Sequence, residues 1–146
     1  MRILICQCDN EFFGINIANV VQIIPLIHLT QVPGLPPWVG GLCEVNSTLI
    51  RVVDLCQVIA SRPATSMMHT RIILLSSGNQ KNPGSIIGLL AEKVVRTLEF
   101  SGYREILPEN NSGNRAIVIQ KVLTDNKVVI QLLNIDGIKQ LAGRDE

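Results

Sequence analysis

Apolar residues along this chain come in short runs broken by turn-forming clusters, and their spacing switches between strand-like and helix-like. Arg2 to Cys8 is an apolar stretch ended by Asp9-Asn10, and Phe12 to Ile17 follows at hairpin distance, which predicts two antiparallel strands. Ile17, Val20, Val21 and Ile24 sit at helical spacing before Pro25 and predict one or two helical turns. Leu26 to Val32 reads as a strand, and Pro33-Gly-Leu-Pro-Pro37 as a rigid connector unsuited to a sheet interior. From Trp38 to Ile59, two apolar runs flank the polar tetrad Glu44-Val45-Asn46-Ser47, and the second run closes on Asp54. This predicts a β-hairpin feeding a short helix with Leu55, Val58 and Ile59 on one side.

The same order of blocks then returns. Arg71 to Ser77 restarts what Arg2 to Cys8 began, at an offset of 69. Gly88 to Leu98 overlays Gly14 to Ile24 at an offset of 74, with the glycine and the Val-Val pair matching outright. Asp54-Leu55-x-x-Val58 overlays Asn134-Ile135-x-x-Ile138 at an offset of 80. Between these blocks, Gly78 to Ser85 predicts a hairpin loop and Ser101 to Asn114 a polar, mobile loop. Arg115 to Leu133 predicts a second hairpin with Thr124-Asp-Asn126 at its tip, and Asn134 to Leu141 a last short helix. Duplication of a unit of about 75 residues is too long for a solenoid and suits a pseudo-symmetric pair of small barrels. The expected organisation is one domain over 1–146, with halves at 1–62 and 70–142 and a linker about 61–69.

Composition narrows the class. With 146 residues the chain is long enough for one sizeable core. Hydrophobic residues make up 47% but aromatics only 3%, so Ile, Val and Leu carry the load and favour strands buried on both faces. A net charge of +1, with scattered Lys and Arg, argues against a nucleic-acid or anionic-membrane binder. A small-barrel nucleic-acid binder stays the main competitor from composition, yet the scarce aromatics give it no stacking platform. No apolar run reaches the ~18–20 residues of a membrane span, and Arg2-Ile-Leu-Ile-Cys is too short for a signal core. A cytoplasmic protein without direct membrane insertion is expected.

Chemistry is hard to find. His28 and His69 lie in different halves, and neither a nucleophile elbow nor a phosphate loop is present. Asp54 reads as a helix N-cap rather than a lone base, because Asn stands at the repeated position and both residue types cap well. Cys6 and Cys8 share one face of a strand, a poor zinc geometry unless Cys43 and Cys56 converge on them. Buried reduced thiols, with no metal and no cofactor, are expected. Trp38 reads either as a half-buried cap over a barrel rim or as a partner-binding anchor. Gly40, Gly41 and Gly88 read as bulges or close approaches of backbone.

One resemblance organises these observations. Gly41 followed by Val52-Val-Asp-Leu55, preceded by Gly14-Ile-x-Ile-x-x-Val-x-x-Ile-x-Pro25 and a Pro-rich approach, resembles the CheW-like family of chemosensory coupling proteins. Ile87-Gly-Leu-Leu-Ala-Glu-Lys-Val94 and Val129-Ile-Gln-Leu-Leu-Asn-Ile-Asp-Gly-Ile138 resemble its second half, so the likeness spans nearly the whole chain. It implies a mainly β fold of two intertwined SH3-like five-stranded barrels with short helices, and a non-catalytic adaptor. Such an adaptor bridges a chemoreceptor's cytoplasmic signalling tip and the regulatory domain of a CheA-type histidine kinase, and it works in the cytoplasm at membrane-associated receptor clusters.

Carried over by position, the receptor contacts fall on Val20, Gln22, Gly41, Asn46, Leu49 and Val94, with the groove between barrels lined by the two copies of the Gly-to-Val block. Kinase contacts fall near the hairpin tip, Glu44, Val45, Asn46 and Ser47. The chain departs from the family where Asn-Leu-Arg-Gly is usual at that tip, where Pro usually stands at Arg51, and where an acidic residue is common at Gln22. Losing the tip Arg removes a bidentate donor to a partner carboxylate. An accessory pathway with its own receptor and kinase is therefore expected, and Ile23-Ile-Pro-Leu-Ile27 and Pro37-Trp-Val-Gly-Gly-Leu42 resemble coupling proteins of that kind. The alternative within the family is a competitor that occupies receptors without recruiting kinase.

Overall fold

The computed structural model describes residues 1–76, 85–99, 101–106, 113–124 and 127–143. The strands are β1 (Arg2–Cys8), β2 (Glu11–Asn16), β3 (Val20–Pro25), β4 (Val39–Val45), β5 (Thr48–Asp54), β6 (Arg71–Leu75), β7 (Ile87–Ala91), β8 (Lys93–Glu99), β9 (Arg104–Ile106), β10 (Ile119–Thr124) and β11 (Val129–Leu133). Three short helices accompany them: α1 (Leu55–Ala60), α2 (Gly113–Val118) and α3 (Ile135–Ala142).

The strands form two sheets ordered β8-β1-β2-β11-β10-β9 and β3-β6-β7-β5-β4. Each sheet therefore mixes both halves of the sequence, which is the expected intertwining. The duplication is visible in the register. Val52 pairs in parallel with Gly88, and Leu132 pairs in parallel with Gly14, so the offsets of 80 and 74 read from the sequence describe one pseudo-twofold. The irregularities repeat too. Val21 and Val95 are each skipped in pairing to the neighbouring strand, as are Gly40 and Gln120. Bulges at matching places bend both barrels alike.

Burial on both faces explains the uninterrupted apolar runs. In β1, Ile3 and Ile5 enter a cluster with Leu123, Ile130 and Leu132, while Leu4, Cys6 and Cys8 enter a larger cluster between the sheets. In β6, Ile72 and Leu74 join Cys43, Ile50 and Val52, while Ile73 and Leu75 enter that same shared cluster. Each barrel has its own interior, and a third core joins them. A strand serving two interiors has no polar face to show, so it cannot alternate.

Several boundaries differ from the sequence reading. Over Ile17 to Ile24 only Ile17–Asn19 turns, as a single 3-10 turn, and Val20–Pro25 is strand β3. The β-branched side chains there pack better on a sheet, and β6 offers a full antiparallel partner, so tertiary pairing overrides the helical spacing. Leu26 to Val32 is not a strand; it makes one isolated bridge, Thr30 to Leu42. Its pseudo-equivalent in the second half is β9, which pairs with β10 and makes that sheet six-stranded instead of five. The second hairpin begins at Ile119 rather than Arg115, because Gly113–Val118 coils as α2 and packs against α3. The expected hairpin loop falls mostly, the tip beyond Thr124 and the middle of the polar loop wholly, outside the described residues.

Candidate partner-binding surface

The first hairpin is built as its pattern suggests. Glu44 pairs with Leu49 and Val45 with Thr48, leaving Asn46 and Ser47 as the turn. Both turn residues have positive φ, 51° and 66°, the paired left-handed conformation of a tight hairpin turn. Asn tolerates this conformation because its short amide bonds locally, so the position that carries Arg in the family is held here by a turn former. Glu44, Asn46 and Ser47 are exposed, and Leu49 is the most exposed aliphatic on the hairpin at 66%.

Gly41 is buried, with φ of 142°, and a side-chain carbon there would lie 2.9 Å from the Thr30 carbonyl oxygen. Its part is to let the 29–31 segment lie on β4, where Thr30 and Leu42 exchange backbone bonds of 2.7 and 2.9 Å. Gly40 is the bulged residue beside it.

Two edge strands carry the other expected contacts. Val20 and Val94, equivalent under the pseudo-twofold, are half-buried against the shared core. The bulges push the following residues outward, so Val21 and Val95 are exposed at 40% and 38%, and Ile23 and Gln22 are exposed beside Val21. Strand β3 bears no charged residue, whereas β8 carries Lys93, Arg96 and Glu99. Charges of that kind guard an edge strand, so β3 is the unguarded one. The hairpin residues Asn46 and Leu49 do not join this edge directly: β6, β7 and β5 stand between β3 and β4 in the sheet. The structure thus brings Val20 and Val94 to one core and leaves the hairpin tip at the other end of the strand order. The exposed Val21, Ile23 and Val95 escaped the sequence reading; the Val-Val repeat was their only signal, because a bulge is a property of pairing.

Arg51, a departure from the family, and the single tryptophan acquire structural roles. Arg51 donates to the Ala142 carbonyl at 2.7 Å, and Trp38 Nε1 donates to the Leu141 carbonyl at 2.9 Å. Both donate to carbonyls in the last turn of α3, so the first hairpin caps the last helix. Trp38 is half-buried against the shared core, which favours its reading as a cap.

Asp54 is 6% exposed and does more than cap. One oxygen accepts from the Cys56 and Gln57 amides at 3.0 and 3.4 Å, and the other accepts from the Ala64 amide at 2.9 Å, fastening the 61–66 segment. Burial pushes its carboxyl up, against the three amides that lower it. Asn134 caps α3 through the Gly137 amide at 3.3 Å.

The 61–69 segment has no helix or strand, yet it is tied down at Glu92. Arg62 forks onto both Glu92 oxygens at 2.9 and 3.0 Å and also reaches Asp9, while the Asp9 and Thr65 amides complete the Glu92 acceptors. The Arg62 fork, with those amides, holds the Glu92 carboxyl well below its usual range. Burial pushes Glu11 up, but hydrogen bonds from Arg115 and Gln131 outweigh it and hold that carboxyl low as well. A carboxyl lowered in the folded state stabilises above its ordinary value, about 4.5, and loses that contribution as pH falls toward its folded value. Asp54, raised, works in the opposite direction. Two lowered carboxyls against one raised predict a melting temperature that drops below about pH 4.5, with a shallower drop in Glu92→Gln; equal acid limbs in a pH series of melts would contradict this.

All four cysteines are free and buried. Burial pushes the Cys6 thiol up to about 12. The hydrogen bond with Cys8, followed by burial and the nearby Glu92 and Asp54, raises the Cys56 thiol further. Cys43 lies in the interior of the first barrel, apart from the other three, so the four do not converge. Among the described residues no helix is long and apolar enough to cross a membrane.

Comparison with known proteins agrees with the architecture. The structure matches the crystal structure of the scaffolding protein TtCheW from Thermoanaerobacter tengcongensis with a TM-score of 0.76, at 18% identity, over 92% of this chain and 84% of that one. In sequence it is 28% identical over 117 residues to chemotaxis protein CheV3 of Helicobacter pylori, covering 76% of this chain and 38% of that protein. It is 23% identical to chemotaxis protein CheW of Klebsiella aerogenes over 104 residues, 67% of this chain and 63% of the relative. The chain thus spans less than two thirds of the length of either relative. The CheW-like domain profile matches residues 2–142, nearly the whole chain. Two intertwined SH3-like subdomains, repeated bulges and this match together place the chain in the CheW-like domain family of chemotaxis proteins.

Proposed function

We propose that this protein is a non-catalytic chemosensory adaptor that couples the cytoplasmic signalling tip of a chemoreceptor to the regulatory domain of a CheA-type histidine kinase. The observation that carries the reading is the uncharged edge strand β3, which exposes Val21, Gln22 and Ile23 beside the shared core while its counterpart β8 is guarded by charge. An exposed apolar edge of this kind is a place for another chain to dock. Val20 and Gln22 serve the receptor at this edge, Val94 does so from β8 on the other sheet, Leu49 and Asn46 extend the contact at the hairpin, and Gly41 shapes β4 from beneath. The tip Glu44 to Ser47 meets the kinase. The work is done in the cytoplasm, at receptor clusters, by one domain spanning the chain.

Co-sedimentation with a receptor signalling-domain fragment and the cognate kinase tests this. Ternary recruitment is expected, with Gln22→Lys and Leu49→Glu each weakening receptor binding roughly tenfold or more while leaving the melting temperature unchanged. Binding to neither partner overturns the proposal. The tip favours a second reading, in which receptors are bound without kinase, because Asn46 lacks the guanidinium that would pair with a partner carboxylate. Receptor binding without kinase recruitment, restored by Asn46→Arg, would establish that reading instead.

A further inference from the structure

The geometry points to a site for a zinc-class divalent cation at Cys8, Cys56 and Glu92. One ligand atom from each lies within 4.8 Å of the others, on three separate elements: the end of β1, the first turn of α1 and the corner after β7. Zinc–sulfur bonds of about 2.3 Å and zinc–oxygen bonds of about 2.0 Å put the edges of a tetrahedron at roughly 3.4–3.8 Å, so the three atoms would have to draw together by about 1 Å at most. Two sulfurs and one carboxylate oxygen form a soft-to-borderline donor set that suits zinc better than magnesium or calcium.

The surroundings supply what a cation site needs next. The Asp9 and Thr65 amides orient Glu92, as outer-shell donors do for metal-bound carboxylates. Each Glu92 oxygen accepts two hydrogen bonds, so one has to be released on binding, and Arg62 is the group able to leave. Its side chain is 37% exposed and already holds Asp9 at 3.1 Å, where it can stay. Two thiolates and one carboxylate against a divalent cation leave one net negative charge at the site, while Arg62 stays paired with Asp9 beside it. Binding releases the two thiol protons to solvent, with no change of oxidation state. A cleft of about 340 Å³ lined by Asp9, Arg62, Thr65 and Glu92 brings solvent to the carboxylate side of the site.

Titration of the full-length protein, stripped with chelator, with Co(II) and then Zn(II) tests the site. One equivalent is expected, with a sulfur-to-cobalt charge-transfer band that Zn(II) abolishes, and with apparent affinity rising about 100-fold per pH unit because two protons leave. Cys8→Ser and Cys56→Ser lose the band, whereas Cys43→Ser keeps it. Mass mapping of thiols alkylated slowly, as transient opening exposes these buried sulfurs, adds a readout that needs no variant: Zn(II) should slow Cys8 and Cys56 more than Cys43. Absence of the band in the unmodified chain, its persistence in both single variants, or equal protection of all thiols overturns the assignment.

Discussion

Gly137→Ala should be among the most destabilising single-methyl additions in this chain. Position 137 lies in α3, where an added side-chain carbon would sit 2.0 Å from the Ile117 carbonyl oxygen and 2.9 Å from its carbon. Both obstructing atoms are backbone, so no rotamer change relieves them. Helix α2 and helix α3 would have to separate, opening contacts around Ile138 and Leu141, which are fully buried in the shared core. Overpacking of this kind costs about 3 kcal/mol, even though alanine is the better helix former by about 1 kcal/mol. For a domain of this size that is a fall of roughly 6–12 °C in melting temperature. Gly143→Ala is the internal control. Its nearest obstruction is 3.6 Å away, an ordinary contact, and its φ is −88°. Thermal melts that give the two variants equal midpoints would contradict the assigned contact.

Asp54→Ala is the second large effect, and it acts through hydrogen bonds instead of volume. The carboxylate serves the Cys56 and Gln57 amides with one oxygen and the Ala64 amide with the other. Loss of an N-cap costs about 1 kcal/mol, and a partly buried amide left without its acceptor costs a further ~1–3 kcal/mol. A total near 3 kcal/mol is expected, read as a lower urea midpoint at constant slope. Asp54→Asn separates the two roles. Its amide oxygen keeps the cap, but its NH₂ meets the Ala64 amide donor to donor, so it should lose about half as much and free the 61–66 segment to protease. If Asn were as stable as Asp, the link to Ala64 would carry no weight. This also explains why the repeat is inexact here: Asn134 has only a helix to cap, whereas Asp54 ties a connecting segment as well.

The metal site would change the same corner. Cation binding would move Arg62 off Glu92 and leave the connecting segment held by the Asp54 link and the Thr65 amide. Its occupancy would therefore be felt near the shared core and not at the hairpin tip.

Much of the architecture was legible because duplication is written in one dimension. The offsets of 69, 74 and 80 fix which strands correspond, and turn formers such as Asp9-Asn10 and Asn46-Ser47 mark where strands reverse. The apolar density of Ile72 to Leu75 demanded burial on two faces, and the hairpin and both caps followed from local chemistry that needs no distant partner. What the residue pattern left undecided was pairing. Val20 to Pro25 is strand because β6 lies beside it, Arg104 to Ile106 because β10 does, and Leu26 to Val32 makes only one bridge because Gly41 admits a single close approach. The bulges that expose Val21 and Val95, the anchoring of α3 by Trp38 and Arg51, and the meeting of Cys8, Cys56 and Glu92 all join residues far apart in sequence. The chain by itself determined the turns and the apolar faces, since these depend on neighbours within a few residues, and the repeat, which is a match between two stretches of sequence and needs no contact. Tertiary structure alone decided which strand edges stay open and which side chains meet, because those outcomes depend on how two interleaved barrels share one core.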